Sequence, residues 1–321
     1  MIKVGIIGGA GYTAGELIRL LINHPQADIC FVHSSSHAGE PVYHVHQDLT
    51  GDTELVFTGS PDYREADVLF LCMGHGRSKD FVEKIAASYQ GKIIDLSHDF
   101  RLHSDDHDFV YGLPEYQREK IKEAVHIANP GCFATAIQMA LLPLGKQQQL
   151  AEVHVHALTG STGAGQAATA TTHFSWRNNN VSVYKPFQHQ HLAEISETLK
   201  GLQADFSDSI NFIPMRGNFS RGILASVYLD VDMSEAEAVE LYKEYYKSHP
   251  FVHVVNKSPD VKLVVNTNKA LLHVEKHGDK IHVVSVIDNL LKGASGQAVQ
   301  NMNLIFGLDE TTGLQLKPSA F

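Results

Sequence analysis

The sequence predicts an α/β chain in two parts: a parallel sheet with crossover helices, then an α+β part built on a mixed or antiparallel sheet. Three observations carry this expectation. Short runs rich in Ile, Val, Leu and Phe alternate with helical patterns through the first third of the chain. Longer segments with period-two alternation follow the stretch ANPGCFATAIQMALLPL at 128–144. The 321 residues, 43% hydrophobic and 19% charged, suffice for two full cores.

In chain order, IKVGIIG, ADICFVHS, DVLFLCM, KIIDLSHD and VHIAN read as strands, with TAGELIRLLINH and SKDFVEKIAASY as helices among them. That alternation is the pattern of a parallel sheet covered by helices. At Asn129-Pro130-Gly131 the strand stops, and FATAIQMALLPL carries helical periodicity, so Cys132 is expected at or within a residue of a helix N-terminus. EVHVHALTG, SINFIPM and RGILASVYLDVD follow as strands. ALLHVEKHGDKIHVVSVIDN reads as a hairpin centred on Gly278 and Asp279. SEAEAVELYKEYYKSH is a helix capped by Ser234, and SGQAVQNMNLIFG is a last helix. With no repeat, low-complexity run or Gly/Ser-rich linker, the boundary is read from texture alone.

Composition excludes several classes of partner. Lys and Arg number 26 against 36 Asp and Glu, a net charge of -10, and no basic run interleaves with aromatics, so no nucleic acid is expected. Three cysteines are too few for a disulfide framework, and the first residues run straight into strand-like sequence. The longest apolar runs fall far short of the roughly 20 residues a membrane-spanning helix needs. A reduced, cytoplasmic setting without a membrane is the expectation.

The first chemical signal is VGIIGGAGYTAGELIRLL. Gly8, Gly11 and Gly15 stand between a strand and a helix, where they permit a tight turn, close approach of a pyrophosphate and binding to free helix amides. This predicts a Rossmann nucleotide-binding domain. The second strand ends in SSSHAG with no carboxylate for the ribose hydroxyls, and Ser34 and Ser36 suit a 2′-phosphate, so the cofactor is read as NADP.

Cys30 and Cys72 lie inside strand-like runs, where a thiol behaves as a small hydrophobe. Cys132 differs, because a helix N-terminus favours the thiolate. A thiol nucleophile needs a proton acceptor, and the chain has 20 histidines. His44 with His46 and His154 with His156 are alternating pairs of strand type, but no third and fourth ligand stands at metal spacing, so no metal is expected. His189 and His191 precede an amphipathic helix whose Glu194 could orient an imidazole.

The segments GGAGYTAGELIRLL, IIDLSHDFRL, YGLPE, NPGCFAT, GSTGAG, HQH with the following EI, RGILASVY and NLLKGASGQAVQNMNLIFGL extend over nearly the whole chain. Together they resemble the N-acetyl-gamma-glutamyl-phosphate reductase family of the aspartate-semialdehyde dehydrogenase superfamily. The resemblance implies NADPH-dependent reduction of an acyl phosphate to a semialdehyde through a cysteine thioester, in arginine biosynthesis, by a homo-oligomer (dimer or tetramer). It implies an NADP-binding domain at 1–131, completed by a C-terminal helix region at 295–321, and a catalytic and oligomerisation domain at 132–294. It makes Cys132 the nucleophile, His191 the general acid/base, His189 a substrate contact and Arg101 a phosphate contact. Asn129, Ser161 and Arg221 join the substrate set. Gly8, Gly11, Tyr12, Thr13, Ser34, Ser36, Gly74, Gly163, Gly296, Gln297 and Asn301 are assigned to the cofactor. The chain departs from the family at Gln166 and in the segment MRGNFS at 215–220. There Arg216 could pair with a second carboxylate, as an N-succinyl substrate would offer. The rival classes are an aspartyl phosphate enzyme and a Cys-His acyl hydrolase or transferase.

Overall fold

The structure is a computed structural model, and it describes residues 1–207 and 210–319. Two compact units divide the chain: 1–130 with 294–315, and 131–293 with the tail from residue 316. The sequence reading carried 295–321 whole to the first part; regular structure there ends at Ile305.

In the first unit β1 (Ile2–Ile7), α1 (Tyr12–Leu21), β2 (Ala27–His33), β3 (Phe57–Thr58), β4 (Val68–Leu71), α2 (Ser78–Ile85), β5 (Lys92–Asp95), β6 (Val110–Tyr111), α3 (Pro114–Glu123) and β7 (His126–Ala128) follow in order. The strands form a seven-stranded sheet, β3-β2-β1-β4-β5-β7-β6, and every pair is parallel. The order reverses between β1 and β4, so the glycine turn after β1 opens at the switch point where α/β sheets bind nucleotides. β4 is buried along its whole length, which is why VLFL is unbroken rather than alternating. α1 turns Ala14, Leu17, Ile18, Leu20 and Leu21 onto the sheet, the stripe a 3.6 period produces.

The second unit begins with α4 (Cys132–Lys146) and continues through β8 (Val153–Thr159), α5 (Phe174–Arg177), β9 (Ser182–Val183), α6 (His191–Leu202), β10 (Ile210–Arg216), β11 (Ile223–Asp230), α7 (Glu235–Tyr246), β12 (Val252–Val254), β13 (Ala270–His277) and β14 (Lys280–Ile287). Its sheet, β12-β13-β14-β11-β8-β10-β9, is mixed: β8 with β10 and β12 with β13 run parallel, and the other pairs antiparallel. β13 and β14 are joined through Gly278, whose φ of +59° supplies the two-residue turn. α4 is buried from Phe133 to Gly145. Pro143 inside it has no N–H to offer the Met139 carbonyl, and the Tyr246 hydroxyl donates to that carbonyl instead at 2.6 Å. Ser234 caps α7 in a reciprocal box with Glu237, worth about 1 kcal/mol.

After β14 a single π-type turn, Leu291–Ser295, leads into α8 (Gly296–Ile305), which belongs to the first unit. Every residue of α8 is buried, so its polar side chains must find partners. Asn303 shares a bond of 3.0 Å with His24, and Asn301 donates to the Gly112 carbonyl at 2.9 Å.

Candidate active site

Cys132 is the first residue of α4, directly after the N-cap Gly131. The Gly131 N–H donates to Glu194 Oε2 at 3.0 Å, so the carboxylate of α6 fixes the turn that presents the thiol. Glu194 Oε1 also lies 3.9 Å from His191 Nε2. One buried acid thus holds the cysteine loop and faces the imidazole, as the sequence suggested for Glu194. Gly293 closes the back, where a Cβ would come within 2.8 Å of Cys132 Cβ, so no larger residue fits without moving the nucleophile.

His189 and His191 cross edge to face with centroids 4.6 Å apart, and the His191 N–H donates to His189 Nδ1 at 3.2 Å. Phe133 and Phe212 pack against His189 at 5.4 and 5.5 Å. Burial, and then the charges of Lys185 and Arg216, pull His189 down to about 4. At neutral pH His189 is therefore an uncharged ring. Arg216 lies over the Tyr184 ring at 4.7 Å. Arg177 donates to the carbonyls of Thr171, Asn180 and Arg216 and to Ser182 Oγ. Arg221 is paired with Asp288 at 3.1 Å. Ser161 and Gly163 form a tight turn, held by N–H bonds from Ser161 and Thr162 to the Phe219 and Ser220 carbonyls.

In the first unit Gly8 turns the chain at φ +82°, with the Cys72 carbonyl 2.9 Å from where a Cβ would sit. Gly11 is the N-cap of α1, without a side-chain cap or an acid in the first turn, and a Cβ there would meet nothing within 4 Å. Open amides, a bare glycine and no negative charge suit a pyrophosphate. Tyr12 and Thr13 start α1, and the Thr13 carbonyl accepts from Ser295 Oγ at 2.8 Å. Buried Ser34 at the end of β2 lies 3.3 Å from Ser36 through their hydroxyls, with no carboxylate in SSSHAG. Gly74, in the loop after β4, has open space around it. These residues fit an NADP with its 2′-phosphate near the serines.

Arg101 is buried and donates to the carbonyls of Asn129 and Leu96 at 2.9 and 3.2 Å. Asp99 instead accepts the amides of Gly76 and Ser78 at the start of α2. The Asn129 amide donates to the Ala294 carbonyl, and its oxygen accepts from Asn301 at 3.1 Å. Asn129 thus ties β7 to α8. Gly296, Gln297 and Asn301 all lie on α8 and are buried.

The semialdehyde dehydrogenase NAD binding domain matches residues 3–124, and the semialdehyde dehydrogenase dimerisation domain matches 132–289. N-acetyl-gamma-glutamyl-phosphate reductases of Parabacteroides distasonis and Phocaeicola vulgatus are 58% and 60% identical to the chain, each over 100% of both sequences. The chain belongs to the N-acetyl-gamma-glutamyl-phosphate reductase family. Among solved structures, aspartate semialdehyde dehydrogenase II of Vibrio cholerae shares the fold at TM-score 0.75 and 19% identity, covering 96% of this chain and 98% of that one. Aspartate semialdehyde dehydrogenase of Candida albicans, solved with NADP, matches at TM-score 0.68 and 15% identity, covering 95% and 98%.

For this reductase-family chain, the structure gathers Cys132, His189, His191 and Arg216 in the second unit, as the sequence suggested. Tyr184, Asp288, Asn289 and Lys292 were missed. Asp288 is wholly buried and accepts Arg221 together with the amides of Asn266, Leu290 and Leu291. Asn289 accepts the Gly222 amide at 2.7 Å and donates to Thr162. Lys292 is wholly buried with Nζ 5.9 Å from the Phe251 ring centre. A buried Asp or Lys in an apolar run was the available signal. His44 and His46 are not a strand pair: both lie at short 3-10 turns after Pro41, and the His46 Nε2–H donates to the Gly9 carbonyl at 2.7 Å. No group that could hold a metal occurs among the described residues.

Proposed function

We infer that the chain reduces N-acetyl-gamma-glutamyl phosphate to N-acetylglutamate semialdehyde and phosphate with NADPH. The observation that carries this is a cysteine at the first position of α4, preceded by a glycine whose amide donates to Glu194, the acid that also faces His191, in a chain 58–60% identical end to end to reductases of that name. The same names favour the N-acetyl substrate over the N-succinyl analogue and over a hydrolase or transferase.

His191 takes the Sγ proton of Cys132, and the thiolate attacks the acyl carbon; an S–C bond forms and the C–O bond to phosphate breaks. Arg101 is the cation proposed to meet that phosphate. Bound NADPH supplies the hydride that turns the thioester towards an aldehyde. Amides of the first turn of α4 support the oxyanion, since the Asn129 amide is already engaged. As the aldehyde leaves, the S–C bond breaks and His191 returns its proton to sulfur. Glu194 holds the imidazole and the Cys132 loop through these changes. His189, Ser161, Arg216 and Arg221 border the substrate side; Arg221 acts through its pair with Asp288. Gly8, Gly11, Tyr12, Thr13, Ser34, Ser36, Gly74, Gly163, Gly296, Gln297 and Asn301 are the proposed cofactor contacts. A cytoplasmic homo-oligomer, dimer or tetramer, is the proposed state; no helix among the described residues is long and apolar enough to cross a membrane.

The test is the reverse reaction: semialdehyde, phosphate and NADP+ followed by NADPH absorbance. NADP+ should be preferred to NAD+, and Cys132→Ser should abolish turnover. Cys30→Ser and Cys72→Ser should keep it, because burial raises both thiols, Cys72 to about 12. No NADPH from the unaltered enzyme, or full activity in Cys132→Ser, would sink the proposal.

A further inference from the structure

We propose that Arg216 is the receptor for the substrate's carboxylate, gripping it through the Nε–Nη edge of its guanidinium while the Tyr184 ring supports the guanidinium plane. This rests on the reductase reading above and deepens it.

Ile210, Phe212, Pro214 and Arg216 share one face of β10, because alternate residues of a strand point the same way. The first three are buried. Phe212 of that row touches Phe133 at 5.2 Å and His189 at 5.5 Å, so the row runs along the face that carries the cysteine helix and the histidine pair. It ends in an arginine. From Phe133 the contacts continue to His189 at 5.4 Å, from His189 to Tyr184 at 5.8 Å, and from Tyr184 to the Arg216 guanidinium at 4.7 Å.

The cations of this unit differ in what they have left to give. Arg221 is matched by Asp288, and Arg177 spends its donors on three carbonyls and a hydroxyl. Lys185 donates to the neutral Gln190 amide at 3.3 Å and to no carboxylate among the described residues. Arg216 Nε is buried and without a hydrogen-bond partner among the described residues. A buried guanidinium donor left unmade is costly, and a carboxylate accepting at Nε and Nη is the planar group that satisfies it in two parallel bonds. Arg177 and Lys185, with no acid paired to either among the described residues, add positive charge to the same corner: burial and then the Arg216 charge lower Arg177, and burial and then the charges of Lys185 and Arg216 lower His189. The N-acetyl substrate carries a carboxylate on its α-carbon, so no second acid group is needed.

The experiment compares two aldehydes in the reverse reaction, N-acetylglutamate semialdehyde and 4-acetamidobutanal, which lacks only the carboxylate. The unaltered enzyme should favour the first in kcat/KM by about 10- to 100-fold, the range for hydrogen bonds to a charged group. Arg216→Met should erase that preference by raising KM for the semialdehyde, with KM for phosphate unchanged, and Arg216→Lys should restore part of it. Equal kcat/KM for the two aldehydes with the unaltered enzyme would overturn the inference without any variant. A rise in KM for phosphate alone would also overturn it. An unaltered enzyme that makes NADPH from neither aldehyde removes the reductase reading and this inference together.

Discussion

At the scale of single residues the site is organised by which charges are permitted. His189 sits among Phe133, Phe212 and Tyr184, and burial with the neighbouring cations lowers it from 6.5 to about 4. Between those values the unfolded chain binds more protons at this ring than the folded protein, so folding is favoured as pH rises. The contribution of neutral His189 is full above 6.5 and is lost as pH falls towards 4. In the folded protein, the His189 ring followed by NMR should titrate near 4, and His189→Gln should flatten that part of the acid limb of stability. A midpoint at 6 or above would contradict the picture. Cys132, His191 and Glu194 were legible from the sequence because they are local: a Pro-Gly stop before a helical run, and an acid one turn into the helix that His191 begins. Tyr184 was not, since it reaches the site through the pairing of β9 with β10, Arg216 opposite Ser182, and a two-residue strand leaves no periodic trace.

At the scale of elements, the long strands and the longer helices other than α3 (Pro114–Glu123) were readable, because burial imposes a period. β3, β6, β9 and β12 were not, being two or three residues each. The π-type turn before α8 was equally hidden, since nothing in NLLKGASG announces it, whereas the helix itself was read from SGQAVQNMNLIFG although QAVQNMN gives no apolar stripe and all of α8 is buried. What holds the preceding corner is Asp288. Its wholly buried carboxylate takes Arg221 at 3.1 Å and the amides of Asn266, Leu290 and Leu291 at 2.7, 2.8 and 3.2 Å. Removing one partner of such a pair strands the other and leaves several donors unmade. Asp288→Ala should therefore cost about 3–5 kcal/mol in denaturant unfolding, whereas Ser234→Ala at the α7 cap should cost about 1. Equal losses at the two sites would mean that Asp288 is replaced by water without consequence.

At the scale of the whole molecule the question is what covers the apolar surface the fold leaves open. Phe174, Trp176, Val181, Val183 and Phe187 are 77, 51, 55, 55 and 56% exposed, and all lie within 174–187, around the edge strand β9. An apolar sheet edge invites pairing with another chain, and the segment falls inside the match to a dimerisation domain at 132–289. Self-association through this edge is the expected outcome. Trp176 is the only tryptophan, so its emission reports on the edge without labelling: it should shift to longer wavelength on dilution as partners separate and water reaches the ring. Phe174→Asp with Val183→Lys should lower the mass found by light scattering while far-UV circular dichroism stays unchanged, because neither side chain contributes to the core. An assembly whose mass and Trp176 emission ignore both dilution and these substitutions would place the interface elsewhere, and the edge would then have to be protected within one chain.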